Sequence, residues 1–211
     1  MHIPDGIAST PVLVVAGGVA VAGVGYGIRR LRHDEIPKVA VLTSCFFVAS
    51  LIHVPLPPVS VHLVLPGLLG ALLGWGAFPA VFVGLLMQYL FFGFGGITSI
   101  GINVCTMAIP AVTCRYAFGW LLSRGASKVF LAGFLSGGFG VCMSCLLYSS
   151  ALFLSGSAYF SIAAASLLFH LPIIVIEAFI TAFALSYLHQ VRPESLRLSS
   201  VDSAVSLESA V

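Results

Sequence analysis

The feature of this sequence that most constrains its fold is a series of seven long apolar stretches. They run roughly over residues 8–28, 36–54, 62–74, 77–93, 98–121, 129–155 and 162–190. A helix that spans a membrane needs roughly 20 apolar residues. Charged residues make up only 8% of the chain, against about 25% in soluble domains, which is too little charge to solvate a surface. The sequence therefore predicts an all-α, polytopic membrane bundle of about seven transmembrane helices.

The third stretch is the weakest prediction in this series. It is short, begins near His62 and contains Pro66, and the break after it (Gly74-Trp75-Gly76-Ala77) is brief. Non-helical backbone at membrane depth is tolerated where protein or a cavity covers it. We therefore expect this stretch to be partly re-entrant, and totals of six or eight spans remain open.

The lysines and arginines predict the orientation of the bundle. Cytoplasmic loops of membrane proteins carry an excess of these residues. With seven spans and the N-terminus outside, all nine lie at or near the cytoplasmic side: Arg29, Arg30, Arg32, Lys38, Arg115, Arg124, Lys128, Arg192 and Arg197. We therefore expect an outer N-terminus and a cytoplasmic C-terminus, with a transmembrane domain over 1–192 and a polar cytoplasmic tail over 193–211.

The first residues lack the marks of a removable targeting segment. No basic segment precedes the first apolar stretch, and that stretch is followed by arginines instead of a cleavage site with small residues. Removal of the initiator methionine normally requires a small second residue, and His2 is large. We expect Met1 to be retained with a free amine. The outer side then gathers this terminus with the connections at 55–61, at 93–98 and around Gly156.

Met1 and His2 together have the composition of a metal chelator. A free α-amine titrates at about pH 7.7–8.0, so a metal can displace its proton. The amine, the backbone nitrogen of His2 and the Nδ1 atom of His2 close two chelate rings on one ion. Nitrogen donors in a square plane suit Ni²⁺ or Cu²⁺. Asp5 either hydrogen-bonds the amine or the His2 ring, or starts a helix near its positive end.

A fourth donor is expected to be an imidazole on the same side of the membrane. We assign it to His62, which follows the outer proline-rich connection. His53, at the end of the second span, is the competitor, and His170 approaches from the outer half of the last span. His33 and His189 fall at the inner side and are excluded by topology.

Two further features of the apolar stretches have more than one interpretation. Glu177 lies seven residues after His170, on the same face of the last helix. An acid inside a membrane is usually functional or paired, so a relay, a contact to a moving partner and a role in helix packing are all open. Cys142 and Cys145 are spaced like a metal or redox pair, but in an apolar helix this spacing is more typical of packing.

The sequence does not predict a catalytic site. It contains no phosphate-binding Gly-Lys-Ser/Thr loop, so we do not expect the chain to hydrolyse ATP itself. The odd number of cysteines and their apolar settings argue against a disulfide framework. Patches of arginine and aromatic residues that would suit nucleic acid are also missing from the sequence.

Three segments resemble a known family. Met1-His2-Ile3-Pro4-Asp5-Gly6 resembles the opening of the CbiM/NikM family, the substrate-binding (S) components of energy-coupling factor (ECF) transporters for cobalt and nickel. Ser60-Val61-His62 falls where that family has a ligand histidine. Residues 87–103 are similar to the family's Gln-x-x-x-Phe-Gly-x-Gly-Gly stretch, which ends in Gly-x-Asn. Phe94, and the apolar residues after His62, depart from the pattern of some relatives.

The resemblance implies a site and a function. The metal ligands would be Met1, His2 and His62, and the residues around them would include Asp5, Ser60 and Asn103. The chain would be the capture subunit of an ATP-driven Co²⁺ or Ni²⁺ importer in the prokaryotic plasma (inner) membrane, serving cobalamin biosynthesis or nickel enzymes. Its partners would be a transmembrane T component, two cytoplasmic ATPases and, in some systems, a small accessory membrane subunit.

A second interpretation is an intramembrane enzyme or a helical scaffold with His170 and Glu177 as the working pair. The two interpretations differ in one testable respect. Metal capture predicts loss of binding when the N-terminus is extended or His2 is changed, whereas the enzyme predicts indifference to such an extension.

Overall fold

A computed structural model describes residues 2–56, 59–123 and 128–196, with the backbone only at 54–56, 59–60 and 123. Within these residues the chain forms a helical bundle and one small β-hairpin. The helices are α1 (Thr10–Arg30), α2 (Ile36–Leu51), α3 (Pro66–Leu73), α4 (Ala77–Phe92), α5 (Ile100–Ser123), α6 (Val129–Ser155), α7 (Phe160–Phe169) and α8 (Leu171–Val191). The hairpin strands are β1 (His53–Leu56) and β2 (Val59–His62).

The all-α membrane fold expected from the sequence is confirmed. Five helical segments of the described chain are long and apolar enough to cross a membrane: Thr10–Arg30, Pro66–Phe92, Ile100–Leu122, Val129–Ser155 and Leu171–Val191. The segment Pro66–Phe92 joins α3 and α4 through a short 3₁₀ turn at Gly74–Gly76. The helix α2 has 16 residues, and Ser157–Phe169 is a shorter apolar helix.

Two of the predicted apolar stretches are divided in the structure. The last one is interrupted at His170, between α7 and α8, because Pro172 lies in the first turn of α8 and has no N–H to continue the helical ladder. The third does not begin as a helix at His62. That residue ends β2, and α3 starts at Pro66.

The proline-rich connection before His62 is an antiparallel hairpin. Its register pairs His53 with His62 and Val54 with Val61. His53 and His62, the two alternatives for the fourth metal donor in the sequence analysis, are therefore cross-strand neighbours. Residues 57–58 of the hairpin lie outside the described residues.

The short helix α3 lies in the interior of the bundle. Of its eight residues, six are buried. A Cβ atom at Gly70 would lie 1.8 Å from the carbonyl oxygen of Ala111 in α5, and one at Gly67 would lie 2.6 Å from the Cα of Gly137 in α6. Glycines are needed at both positions because the helix backbones approach so closely. The chain that enters α3 from His62 therefore runs directly into the core.

The segment before α1 and the basic residues Arg29, Arg30 and Lys38 lie at opposite ends of the bundle. Ser9, just before α1, donates a hydrogen bond to the carbonyl of Leu154 at the end of α6, at 3.4 Å. About 30 Å further along α1, Arg29 and Arg30 form its last turn. At that end Lys38 donates to the carbonyl of Ser195 at 3.0 Å. This separation agrees with the predicted orientation, which stays a prediction.

The beginning of the predicted tail packs against the bundle. Pro193–Leu196 forms a 3₁₀ turn, and the Leu196 side chain joins the hydrophobic core. Residues 197–211 lie outside the described part of the chain, so the predicted polar cytoplasmic tail stays a prediction there.

Candidate metal centre

The segment before α1 is docked onto the connection between α4 and α5. Ile3 is fully buried, and its N–H donates to the side-chain oxygen of Asn103 at 2.9 Å. The Asn103 amide nitrogen and the Ser99 hydroxyl both donate to the Ile3 carbonyl, at 3.1 and 2.5 Å. Both backbone polar groups of Ile3 are therefore satisfied in a buried setting, which fixes the residue next to His2.

Asp5 provides a second anchor for the same segment. Its carboxylate accepts backbone N–H bonds from Ile97, Thr98 and Ser99 at 3.1, 3.0 and 3.2 Å, and a bond from the Thr98 hydroxyl at 2.5 Å. The Thr98 hydroxyl is the main cause of the lowered pKa of Asp5. The carboxylate is thus ionised at neutral pH, and it lies just before the positive end of α5. It therefore lies at the start of a helix, as one interpretation of the sequence had it, and that helix is α5.

Two glycines make room for this docking. A Cβ at Gly96 would lie 2.1 Å from Oδ1 of Asp5 and 2.7 Å from its backbone nitrogen. Gly95 has a left-handed backbone (φ +80°), and a Cβ there would lie 3.1 Å from the Asn103 amide nitrogen and 3.8 Å from Nδ1 of His2. The Gly-Gly pair is therefore needed because the N-terminal segment passes directly over it.

The docked segment brings His2 against His62. Their rings stack with centroids 4.6 Å apart and an angle of 17° between their planes. The ring of Phe94 lies on His2 as well, with centroids 6.1 Å apart. The sequence placed His62 at the outer side only by topology, and the structure brings it into contact with the second residue of the chain.

Three ring nitrogens of these two histidines have no hydrogen-bond partner among the described residues. Nδ1 of His62 lies 2.9 Å from the carbonyl of Leu63 and acts as the donor, since a carbonyl only accepts. This leaves the lone pair on Nε2 of His62, which is buried and has no partner among the described residues. Both ring nitrogens of His2 are buried and unpartnered within the same set. Buried polar atoms without partners are costly and call for an explanation.

Burial favours the neutral form of both the His2 and the His62 imidazole. Burial lowers the pKa of His2 and of His62 well below the ordinary value for histidine. A neutral imidazole keeps a lone pair, which is the form that ligates metal ions. The pair can therefore bind a divalent cation without first losing ring protons.

The other histidines have different environments. His53 is exposed, its Nδ1 bonds the carbonyl of Leu51 at 3.0 Å, and its ring meets the edge of Phe94 with centroids 5.5 Å apart. His170 is buried, and its Nδ1 donates to the carbonyl of Ser166 at 2.7 Å. Its Nε2, like that of His62, is buried without a partner among the described residues. His2 stacks on His62, and no such stack joins it to His53 or His170 within the described residues.

Glu177 contacts the site's supporting backbone and not His170. Its carboxylate is fully buried and accepts hydrogen bonds from the N–H groups of Val64 and Leu65, the latter at 2.8 Å. Leu65 has a left-handed backbone (φ 55°), alone among the non-glycine residues that the structure describes. Such a conformation costs roughly 1–2 kcal/mol, and it persists where the surroundings enforce it.

Several of the residues singled out in the sequence converge at this site. His2, His62, Asp5 and Asn103 come together, whereas His170 and Glu177 have separate partners. Met1 and the side chain of Ser60 lie outside the described residues. The contributions of Ile3, Ser99 and Phe94 were not predicted. The Gly95-Gly96 pair was the available signal, since adjacent glycines mark a close backbone approach.

The fold and this arrangement define a class: a multi-pass membrane protein that folds its own N-terminal segment into an imidazole-lined site. Comparison with known proteins gives the particular family. Residues 2–195 match CbiM, described as "Cobalt uptake substrate-specific transmembrane region". The chain therefore belongs to the CbiM family.

Individual relatives and solved structures agree with this assignment. A relative from Haemophilus influenzae, named "Putative metal transport protein", is 38% identical over 197 residues, which are 92% of this chain and 96% of that one. The "Cobalt transport protein CbiM" of Sorangium cellulosum is 29% identical over 93% of this chain and 94% of its own. A solved "transition metal transporter" superposes with a TM-score of 0.79 at 26% identity, covering 90% of this chain and 93% of that one.

Family membership decides between the two interpretations of the sequence. The chain is a multi-pass inner-membrane protein and a substrate-specific component of cobalt and nickel transport. It is a transport component and not an enzyme, so the intramembrane enzyme built on His170 and Glu177 is excluded.

Proposed function

We propose that this chain is the metal-capturing S component of an ECF-type, ATP-driven importer of Co²⁺ or Ni²⁺. One observation carries the proposal: the docked N-terminal segment stacks His2 on His62, and both ring nitrogens of His2 and Nε2 of His62 are buried without partners among the described residues. Imidazole is a good ligand for both metals. A bound cation would satisfy these nitrogens, which explains why the fold tolerates them in the absence of other partners.

The proposed ligands are four nitrogen atoms. The Met1 amine, the backbone nitrogen of His2 and its Nδ1 form the chelate, and Nε2 of His62 is the fourth donor. A ring nitrogen lies about 2.0–2.1 Å from a bound metal, so two of them on one ion are at most about 4.2 Å apart. Rings whose centroids are 4.6 Å apart are close enough for this with small adjustments.

The docking contacts support a role for the chain's N-terminus. Asn103 holds the backbone of Ile3, and Asp5 is held by the turn before α5. These anchors lie on the C-terminal side of His2, and the proposal assigns the remaining donor to the amine of the preceding residue, Met1. Asn103 and Asp5 thus position the backbone that carries the proposed ligands and do not bind the metal themselves. The proposal also includes Ser60, two residues before His62, among the residues around the site.

The energy source is proposed to lie in partner subunits. The sequence has no nucleotide-binding loop of its own, and the family's description is of a substrate-specific region. The proposed partners are a transmembrane T component, two cytoplasmic ATPases and, in some systems, a small accessory membrane subunit. The "Fused nickel transport protein NikMN" of Rhodobacter capsulatus, at 35% identity, is a longer chain of which this one covers 42%.

The choice between cobalt and nickel rests on geometry. Four nitrogens that include a backbone amide suit the square plane of Ni²⁺. Relatives of this chain carry both names, so the proposal covers both ions as cargo. The imported metal would serve cobalamin biosynthesis or nickel enzymes.

The experiment compares substitutions of the cross-strand neighbours His62 and His53. His62→Ala and His53→Ala alter residues that face each other in one hairpin, and only His62 touches His2. Equilibrium dialysis of the purified protein against ⁶³Ni²⁺ or Co²⁺ should show a large loss of affinity for His62→Ala. His53→Ala should stay within about twofold of the parent. Equal losses in both variants, or none in His62→Ala, would refute the assignment.

A further inference from the structure

An acidic side chain in the core is linked to the candidate ligand His62 through one peptide unit. Glu177 accepts a hydrogen bond from the N–H of Val64. The carbonyl of the same peptide unit belongs to Leu63, and it accepts the Nδ1 hydrogen of His62 at 2.9 Å. The carboxylate, the peptide and the imidazole therefore form a continuous chain of hydrogen bonds that ends at the free Nε2 atom.

The other side-chain oxygen of Glu177 binds the residue after Val64, which is Leu65. It accepts the N–H of Leu65 at 2.8 Å, where the backbone is left-handed and α3 is about to begin at Pro66. No side chain caps the start of α3. Glu177 thus supplies, from a helix more than 100 residues away in sequence, the acceptors that keep this turn in its strained conformation.

A role in helix packing alone does not explain this geometry. A buried acid that served packing needs only some hydrogen-bond partners. Here both oxygens bind main-chain groups of the three-residue connection that starts directly after His62. In many metal sites a carboxylate accepts the second ring hydrogen of a ligand histidine, which fixes the tautomer and raises the basicity of the other nitrogen. Here a peptide unit stands between the two, and such chains polarise cooperatively.

We propose that Glu177 is a positioning residue of the metal site, which orients His62 and fixes its tautomer through the Leu63–Val64 peptide unit. The inference rests on the proposed function, because it takes His62 as a ligand. Glu177 does not touch the metal. Its effect on affinity is exerted entirely through His62.

The experiment compares Glu177→Gln with a control on the same helix. The Gln side chain has nearly the same shape, but it has one acceptor oxygen and presents an NH₂ group to the second N–H. Thr181→Val changes a residue one turn along α8 that is equally buried and whose hydroxyl has no partner within the described chain. Each variant is made with and without His62→Ala, and Ni²⁺ affinity and the visible d–d spectrum of the Ni²⁺ complex are measured.

The expected result is a loss that depends on His62. Glu177→Gln should weaken Ni²⁺ binding by about 10- to 100-fold, and its spectrum should shift toward that of the His62→Ala variant. In the His62→Ala background it should cause no further loss. Thr181→Val should leave affinity and spectrum unchanged. If Glu177→Gln is not recovered as a folded protein by gel filtration, Glu177→Met replaces it, since it removes the carboxylate without adding a buried donor.

Three results overturn the inference. Unchanged affinity and spectrum in Glu177→Gln, with a clear loss in His62→Ala, would refute the inference and leave the proposed function standing. Losses that add fully in the double variant would show a general structural role that does not act through His62. No effect of His62→Ala itself would remove the proposed function and, with it, this inference.

Discussion

Replacing Gly96 by alanine should detach the N-terminal segment from the site. The new Cβ would lie 2.1 Å from Oδ1 of Asp5, 2.3 Å from its Cγ and 2.7 Å from its backbone nitrogen. A rotation of the Asp5 side chain could relieve the first two contacts but not the third, which is to main chain. The whole segment must therefore move away, and the loss is felt at His2, three residues before Asp5.

The size of the effect follows from the hydrogen bonds that are lost. Asp5 accepts four of them, and a typical bond contributes about 0.5–1.5 kcal/mol net. Most of these bonds are exposed, so water replaces part of each contribution, and we take about 2–3 kcal/mol for the set. If only chains with this segment docked bind metal, the apparent affinity equals the intrinsic affinity multiplied by the fraction of chains in which the segment is docked. At 1.4 kcal/mol per factor of ten, this is about 30- to 150-fold.

The assay is equilibrium dialysis of the detergent-purified chain against Ni²⁺ and Co²⁺, with the thermal midpoint of the metal-free protein measured alongside. Gly93→Ala is the matched control. It lies in the same connection between α4 and α5, and a Cβ there would meet no atom within 4 Å, although its backbone is left-handed (φ +67°). It should lose some stability from backbone strain but keep its metal affinity. A folded Gly96→Ala protein that binds metal like the parent would refute the reasoning.

Three further predictions concern the contacts that dock the N-terminal segment and the packing of the bundle core. Asn103→Asp removes the donor to the Ile3 carbonyl and should weaken metal binding at least about tenfold, since one buried bond becomes a repulsive contact; dialysis checks this. Ile3→Ala leaves a cavity at a fully buried position and should lower both affinity and thermal midpoint, with about 2–5 kcal/mol lost if the segment stays docked. Gly70→Ala places a Cβ 1.8 Å from the Ala111 carbonyl and should destabilise the bundle by roughly 1–3 kcal/mol or more. Gly18→Ala is the control, because a Cβ at Gly18 would meet no atom within 4 Å. Its midpoint of thermal unfolding should match that of the parent.

The sequence predicted the spans well because the membrane imposes their length and polarity. Helices α1, α4, α5 and α6 begin and end within a few residues of the apolar stretches that predicted them. Pro172 was a missed signal for the break between α7 and α8. The hairpin at His53–His62 was harder to foresee, because the prolines at 55, 57 and 58 predict irregular backbone. The alternation of apolar and polar residues in Val59-Ser60-Val61-His62 was the available signal for a strand.

The meeting of the two candidate ligand histidines was predictable from the sequence, and the contacts that support them were not. His2 and His62 were identified from residue type, topology and the family resemblance, and the structure brings them together. Asp5 was expected beside the amine or the His2 ring, or at the start of a helix, and it binds the turn at 97–99 directly before α5. Glu177 was recognised as an unusual acid, yet its partners lie more than 100 residues away. Such contacts are set by how helices pack, which a single sequence does not encode locally.

The central claim is that the N-terminus of the chain is itself a metal ligand. The most direct test measures Ni²⁺ and Co²⁺ binding by the chain with Met1 first, beside a version with one extra residue before Met1. A version with one extra residue at the C-terminus is the control. The account predicts that the native and C-terminally extended forms bind one ion per chain and that the N-terminally extended form does not. Equal binding by all three would show that the amine is not a ligand.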